Sequence, residues 1–304
     1  MSPSPAQTHY RKPWLSYADQ VALLQSRGLK VVDVCAAAEF LSHINYYRFS
    51  GYCLAFEGPR HTFSPDTTFE IVRDSYEFDR ALRDLVTEAL ELIELDFRTA
   101  IAHHFGRRFG AFGHTLSAGF FKTFKHADWI EILREEARRS RELFVGHFRA
   151  QYAEFPDLPI WMATEVMSFG SLSRMFSGML REDQRAVASR YHVQPFHLGS
   201  WLHHLVYVRN LCAHHSRLWD RVWSIKPELP PGRVWTPPLV SGNGRLYATL
   251  LMLLDLLRRC PAAPPFAHEW RARLQAHLQN PPQAPQSLQK MGFTADWSAH
   301  PFWG

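Results

Sequence analysis

The sequence predicts an all-α protein, a helical bundle, on three observations. Apolar residues recur at a spacing near 3.5 between 69 and 104, which over about ten turns is the signature of a long helix. Helix start and stop residues punctuate the periodic stretches. No β-rich region and no internal repeat breaks the pattern.

Each element follows from its own residues. In 17-YADQVALLQSRGL-29, Val21, Leu24 and Leu23 share a face, and Gly28 stops the helix. A second helix covers about 33–44 and runs into 45-NYYRFSGYCLAF-56, an aromatic-dense stretch broken by Gly51. After the turn at Gly58-Pro59, 67-TTFE-70 is a start signal, with Thr67 as N-cap and Glu70 three residues on. The long stripe then runs through Phe69, Val72, Tyr76, Leu82, Val86, Ala89, Ile93, Phe97, Ala100 and His104, as one helix or two nearly collinear ones. Three glycines end it in 106-GRRFGAFGH-114.

A charged helix is expected over 127–150, and Pro159 opens another over 160–180, interrupted at Gly170. A short helix near 182–191 precedes Pro195, which starts a helix over 196–223. Beyond a proline-rich connector, 226-KPELPPGRVWTPP-238, a buried helix is expected at 246–259 and another helix near 267–279, separated by 261-PAAPPF-266. The reading is of an N-terminal helical segment (1–65), a helical core (66–225), and a connector with C-terminal helices packing on that core (226–304), all in one domain.

At 46% hydrophobic residues, 304 residues can bury a substantial core. Cys35, Cys53, Cys212 and Cys260 form no C-x-x-C pair, and MSPSPAQTHYRKP has no apolar leader core, so a reduced, cytoplasmic setting is expected. A membrane is not: 246-LYATLLMLLDLL-257 is too short for a span and carries Asp255. The formal charge is +5, and 28 of the 34 basic residues are arginine. Arginine's planar fork suits phosphate and stacks on bases. A GC-rich coding sequence would give the same bias.

The densest chemistry lies in 201-WLHHLVYVRNLCAHHSRLWDRV-222. Drawn as one helix, Leu205, Val208, Cys212, His215, Trp219 and Val222 form an apolar stripe. His203, Asn210, His214, Arg217 and Arg221 take another face. Asn210 and His214 are i,i+4 neighbours, with Arg209 in reach. The plain account is a solvated polar face. Metal ligation is disfavoured because no His or Cys pair on one face has i,i+4 spacing, and no metal is expected. A nucleophilic Cys212 is disfavoured by its place on the apolar stripe. Phosphate chemistry suits the residue types best: histidine transfers protons near neutral pH and arginine binds phosphoryl oxygens. One histidine cannot be acid and base in one step, so either His215 or a second chain must supply the other.

The string 209-RNLCAHHSRLWDR-221 resembles the Abi-like abortive-infection proteins (Abi-D/Abi-F type), and Arg209, Asn210 and His214 match the R-N-x-x-x-H signature of HEPN ribonucleases. The stretches 44-INYYRFSGY-52, 76-YEFDRALRDL-85, 90-LELIELDFR-98, 159-PIWMATEVMSFGSLS-173 and 291-MGFTADW-297 are similar to the same family. The resemblance implies a bundle of four or five helices that dimerises with its motifs at a shared cleft. It implies a metal-independent, cofactor-free endoribonuclease acting in phage defence and leaving 2′,3′-cyclic phosphate and 5′-OH ends. RNA is the expected substrate, a structured non-coding RNA a further partner, and a homodimer the expected assembly. The alternative is a non-catalytic module that holds a structured or antitoxin RNA; a third reading is a scaffold whose polar stripe pairs subunits. His215, Arg217, Arg221, Glu165 and Arg80 are supporting candidates. The plain accounts are an ion-pair or surface role for Glu165 and a local pair for Arg80. Tyr46, Tyr47 and Phe49 could stack bases, but such aromatics are mostly core.

Overall fold

The periodicity is realised as helix throughout. The computed structural model describes residues 9, 12–260 and 263–304. Residues 1–8, 10 and 11, most of the stretch read for a leader, lie outside the described residues, as do 261 and 262 of the proline-rich break. Among the described residues there are thirteen α-helices and no β-strand, only isolated bridges. Contacts divide the chain into two units: Met1–Phe78 with Pro282–Pro285, and Asp79–Pro281 with Gln286–Gly304.

In the smaller unit, α1 (Tyr17–Ser26) packs on α2 (Val34–His43). Ser16 and Asp19 form a capping box at the head of α1, and Gly28 turns the chain beyond it at φ +97°. Asn45 caps α3 (Tyr46–Cys53), which Gly51 does not break: one glycine costs a helix only about 1 kcal/mol, and the buried Phe49, Tyr52 and Cys53 hold this one together. Phe40 meets Phe49, Phe69 and Tyr76 edge-on at 5.7–5.8 Å, the favoured geometry for quadrupolar rings. Phe49 is therefore core, whereas Tyr47 is 87% exposed.

The long stripe is one helix, α4 (Phe69–Phe109), 41 residues long. Two details differ from expectation. The capping hydroxyl is that of Thr68, which accepts from the Ile71 amide at 3.3 Å; Thr67 instead donates its hydroxyl to the Ser64 carbonyl. A bridge between Lys30 and Thr68 holds the chain extended up to that point. Near its end, α4 buries Ile101 and Phe105, not Ala100 and His104. A straight helix drifts about 20° per heptad against a seven-residue repeat, so five heptads displace the buried face by roughly one residue.

In the larger unit, Ser140 splits the expected 127–150 helix into α5 (His126–Arg139) and α6 (Leu143–Gln151). The 160–180 helix is likewise two, α7 (Ile160–Val166) and α8 (Phe169–Gly178). The break is at Ser168, whose hydroxyl accepts from the Ser171 amide; Gly170 lies inside α8. Then come α9 (Arg181–Ser189), α10 (Pro195–Ala213), α11 (Leu246–Arg259), α12 (Pro264–Leu278) and the short α13 (Ser287–Lys290). α11 buries every residue from Leu246 to Leu257, as its apolar composition requires. α10 packs on α8 and α9, α5 on α7 and α8, and α11 on α12. No helix among the described residues is long and apolar enough to cross a membrane.

Candidate functional site

The motif lies at the end of α10, and the end is earlier than the helical wheel implies. α10 stops at Ala213 with His214 as its C-cap. His215 follows at φ +52°, the left-handed conformation that usually takes glycine. The His215 amide donates to the Cys212 carbonyl at 2.9 Å, and the Ser216 amide donates to Leu211 at 2.8 Å. This pair of bonds is a Schellman motif, which satisfies carbonyls the helix would otherwise leave open. The chain therefore leaves the helical path at His214. His215 is exposed rather than core-facing, Val222 is 57% exposed, and Arg217 and Arg221 lie in the irregular segment beyond the helix. Trp219 is fully buried, as the stripe suggested, but a turn carries it there.

What the structure brings together is narrower. Asn210 and His214 are exposed, and the His214 amide donates to the Asn210 carbonyl at 3.0 Å. The Arg209 guanidinium donates to Asn210 Oδ1 at 3.3 Å, fixing the amide's orientation. Just downstream, Arg221 Nε donates to the Arg217 carbonyl at 2.5 Å. Arg80 is exposed on α4 and weakly paired with Asp84 at 3.9 Å. Glu165 faces solvent at the end of α7, in a depression shared with Arg139 and Arg141; no hydrogen bond or ion pair among the described residues joins it to the motif.

Sequence reasoning missed the group that secures this corner. Asp79, fully buried, accepts from the amide of Trp219 at 2.7 Å and from that of Leu218 at 3.1 Å. Arg83, one turn along α4 and 5% exposed at its side chain, donates to the same carboxylate at 2.5 Å. The motif corner is thus held at one end by the Schellman bonds and at the other by the Asp79 clamp. In the sequence Asp79 is marked only as the acid inside 78-FDR-80, next to the candidate Arg80.

The rival readings of the opening stretch also meet their geometry. Burial pushes the Cys212 thiol up to about 12, so it carries no thiolate for attack near neutral pH. His204 is buried with both ring nitrogens engaged. Nδ1 donates to the Ile225 carbonyl at 2.6 Å, so Nε2 accepts from the Thr249 hydroxyl at 2.9 Å. Burial pulls its pKa down to about 4, making it a neutral core residue. Among the described residues, no three His, Cys, Asp or Glu side chains converge as a metal site. Several arginines grip carboxylates: Arg83 inside the protein, and Arg108, Arg190 and Arg273 at its surface.

Against known proteins, residues 39–220 match the family model of Abi-like proteins, well over half of the chain. The chain belongs to the Abi-like protein family. The matched region of this Abi-like chain starts in α2 and closes at Asp220, directly after the clamped corner. It therefore includes both Asp79 and the Arg209–His214 motif. Membership points to an abortive-infection type of function. No curated protein and no solved structure matches.

Proposed function

We propose that this Abi-like protein is an endoribonuclease of the HEPN type, acting in the cytoplasm as part of an abortive-infection response. The observation that carries the reading is one exposed imidazole, His214, held at a rigid helix end beside a hydrogen-bonded arginine–asparagine pair. Imidazole exchanges protons near neutral pH, and a guanidinium stabilises charge on a phosphoryl group. In the proposed reaction a base takes the proton from a ribose 2′-OH, and the 2′-oxygen bonds to phosphorus. The bond from phosphorus to the 5′-oxygen then breaks, and an acid protonates the departing oxygen. The products are a 2′,3′-cyclic phosphate and a 5′-OH.

His214 fills one of the two proton-transfer roles, Arg209 faces the phosphorane, and Asn210 orients both. His214 of a second copy supplies the other role in a homodimer with a composite site; His215, exposed at the next position, is the alternative within one chain. Arg217, Arg221 and Arg80 add positive charge for RNA. No metal takes part.

Purified protein incubated with total RNA in EDTA should yield fragments with cyclic phosphate ends. His214→Ala should abolish cleavage yet bind RNA at close to parental strength, because one uncharged group adds little to the electrostatic attraction. Cleavage that stops on adding EDTA, or a His214→Ala protein as active as its parent, defeats the reading. RNA binding without cleavage by the parent would favour the non-catalytic module.

A further inference from the structure

We infer that the groove between α8, α9 and the first half of α10 is the channel along which single-stranded RNA reaches the motif. The inference rests on the nuclease reading and specifies how its substrate is held. The groove encloses about 790 Å³. Its α10 wall includes Phe196, Gly199 and His203. Phe196, His203 and Asn210 are each exposed and succeed one another at intervals of seven residues. Seven residues are about two turns, so the three lie on one line along the helix, and the groove wall continues into the motif. His203 and Asn210 stand about 10 Å apart along the axis.

Charge identifies the occupant. Arg174 on α8 and Arg181 at the start of α9 both line the groove, and both are exposed. Unlike Arg108 or Arg190 nearby, neither has an ion-pair or hydrogen-bond partner among the described residues. One carboxylate, Glu228, lies in the same lining. Two uncommitted guanidinium groups against one acid favour a polyanion. A second copy docking here about a two-fold axis would bring these cations towards their own equivalents.

Shape points to bases as well as phosphate. Phe196 is 64% exposed at the rim, with only the His197 ring edge-on to it at 5.4 Å, so a base can stack on its open face without sequence preference. Phe121 and Phe124, both half-buried, also line the groove. Gly178 allows Phe124 its position: a Cβ there would stand 2.6 Å from the ring. An aromatic-lined furrow edged by arginine accepts a splayed single strand, whereas an A-form duplex presents phosphate with its bases stacked inside.

The test uses full-length His214→Ala protein, which separates binding from cleavage, and a fluorescent oligouridylate titrated over a range of KCl. Replacing Arg174 and Arg181 together by alanine should raise Kd at least tenfold. It should also lower the slope of log K against log salt by about 1.4, at about 0.7 per lost contact on a single strand. Lysine at both positions should restore the slope. Phe196→Ala should weaken binding about tenfold with the slope unchanged. Arg107→Ala, which removes an exposed charge elsewhere, should change neither quantity by more than a few-fold. If the parent binds RNA with a steep salt dependence and the double alanine variant matches it, the groove assignment is wrong and the nuclease reading stands. If the parent shows no salt-dependent RNA binding, both fall. Loss of affinity that accompanies dissociation of a dimer in sedimentation would make the groove a subunit interface and overturn the inference.

Discussion

His215 occupies a backbone position that favours glycine, and that makes it a sensitive probe of the motif corner. A β-branched side chain tolerates the left-handed region poorly. His215→Val should therefore cost about 1–2 kcal/mol in a denaturant titration, while His215→Gly keeps the fold. If the valine variant is as stable as the parent, the corner does not have the Schellman geometry in solution. Asp79 sets a larger stake. With Asp79→Ala, the Leu218 and Trp219 amides lose their acceptor and Arg83 loses the carboxylate it grips. Breaking such a pair costs about 3–5 kcal/mol. Denaturant midpoints should show this loss, and the fraction that remains folded should cleave RNA poorly because the corner beyond His214 is untethered. A fully folded Asp79→Ala protein with parental cleavage would remove Asp79 from any positioning role.

At the scale of elements, α10 depends on pH through His204. Its folded pKa is about 4 against an unfolded value near 6.5, so between those limits the unfolded chain binds more protons than the folded one. Stability therefore falls as pH drops from about 6.5 towards 4, and at 1.36 kcal/mol per pH unit the full effect is about 3 kcal/mol. Comparing parent and His204→Gln in urea at pH 7 and at pH 4.5 isolates the contribution; equal pH dependence in the two proteins would refute it. The helices themselves were legible wherever apolar spacing was sustained, as in α4 and α11. Breaks were less so. Ser140 and Ser168 end or begin helices through hydroxyls and local turns, without a glycine or proline to mark them. The end of α10 was concealed twice over. His215, Trp219 and Val222 continue a helical stripe by coincidence, and the stop residue is a histidine. Arg209, Asn210 and His214 were nonetheless readable, because their chemistry and spacing sit within the helix or at its cap.

For the whole molecule, the proposed composite site makes cleavage a property of assembly. Specific activity should rise with protein concentration and level off where sedimentation shows a saturated dimer. Constant specific activity down to fully monomeric protein would favour His215 as the second proton-transfer group instead. Composition read at this scale was ambiguous: 28 arginines suited RNA or a coding bias, and the fold adds ion pairing as a third use. No window of sequence could join Asp79 to Leu218, because the pairing depends on tertiary packing and leaves no periodic trace.

That separation has a bearing on the cell that makes the protein. Asp79 and Trp219 are 140 positions apart in the chain, so the clamp can close only after the ribosome has delivered Trp219. Contacts of such long range form late, since the entropy of closing the intervening loop must be met first. Until then the histidine that would cut RNA sits on an unsecured tail. Under the proposed nuclease reading, a nascent chain whose corner is still open should not cut RNA, and competence should come only once the Asp79 clamp has closed. Stalled or truncated chains ending before Leu218 should be inert when expressed, however well the rest of the bundle forms.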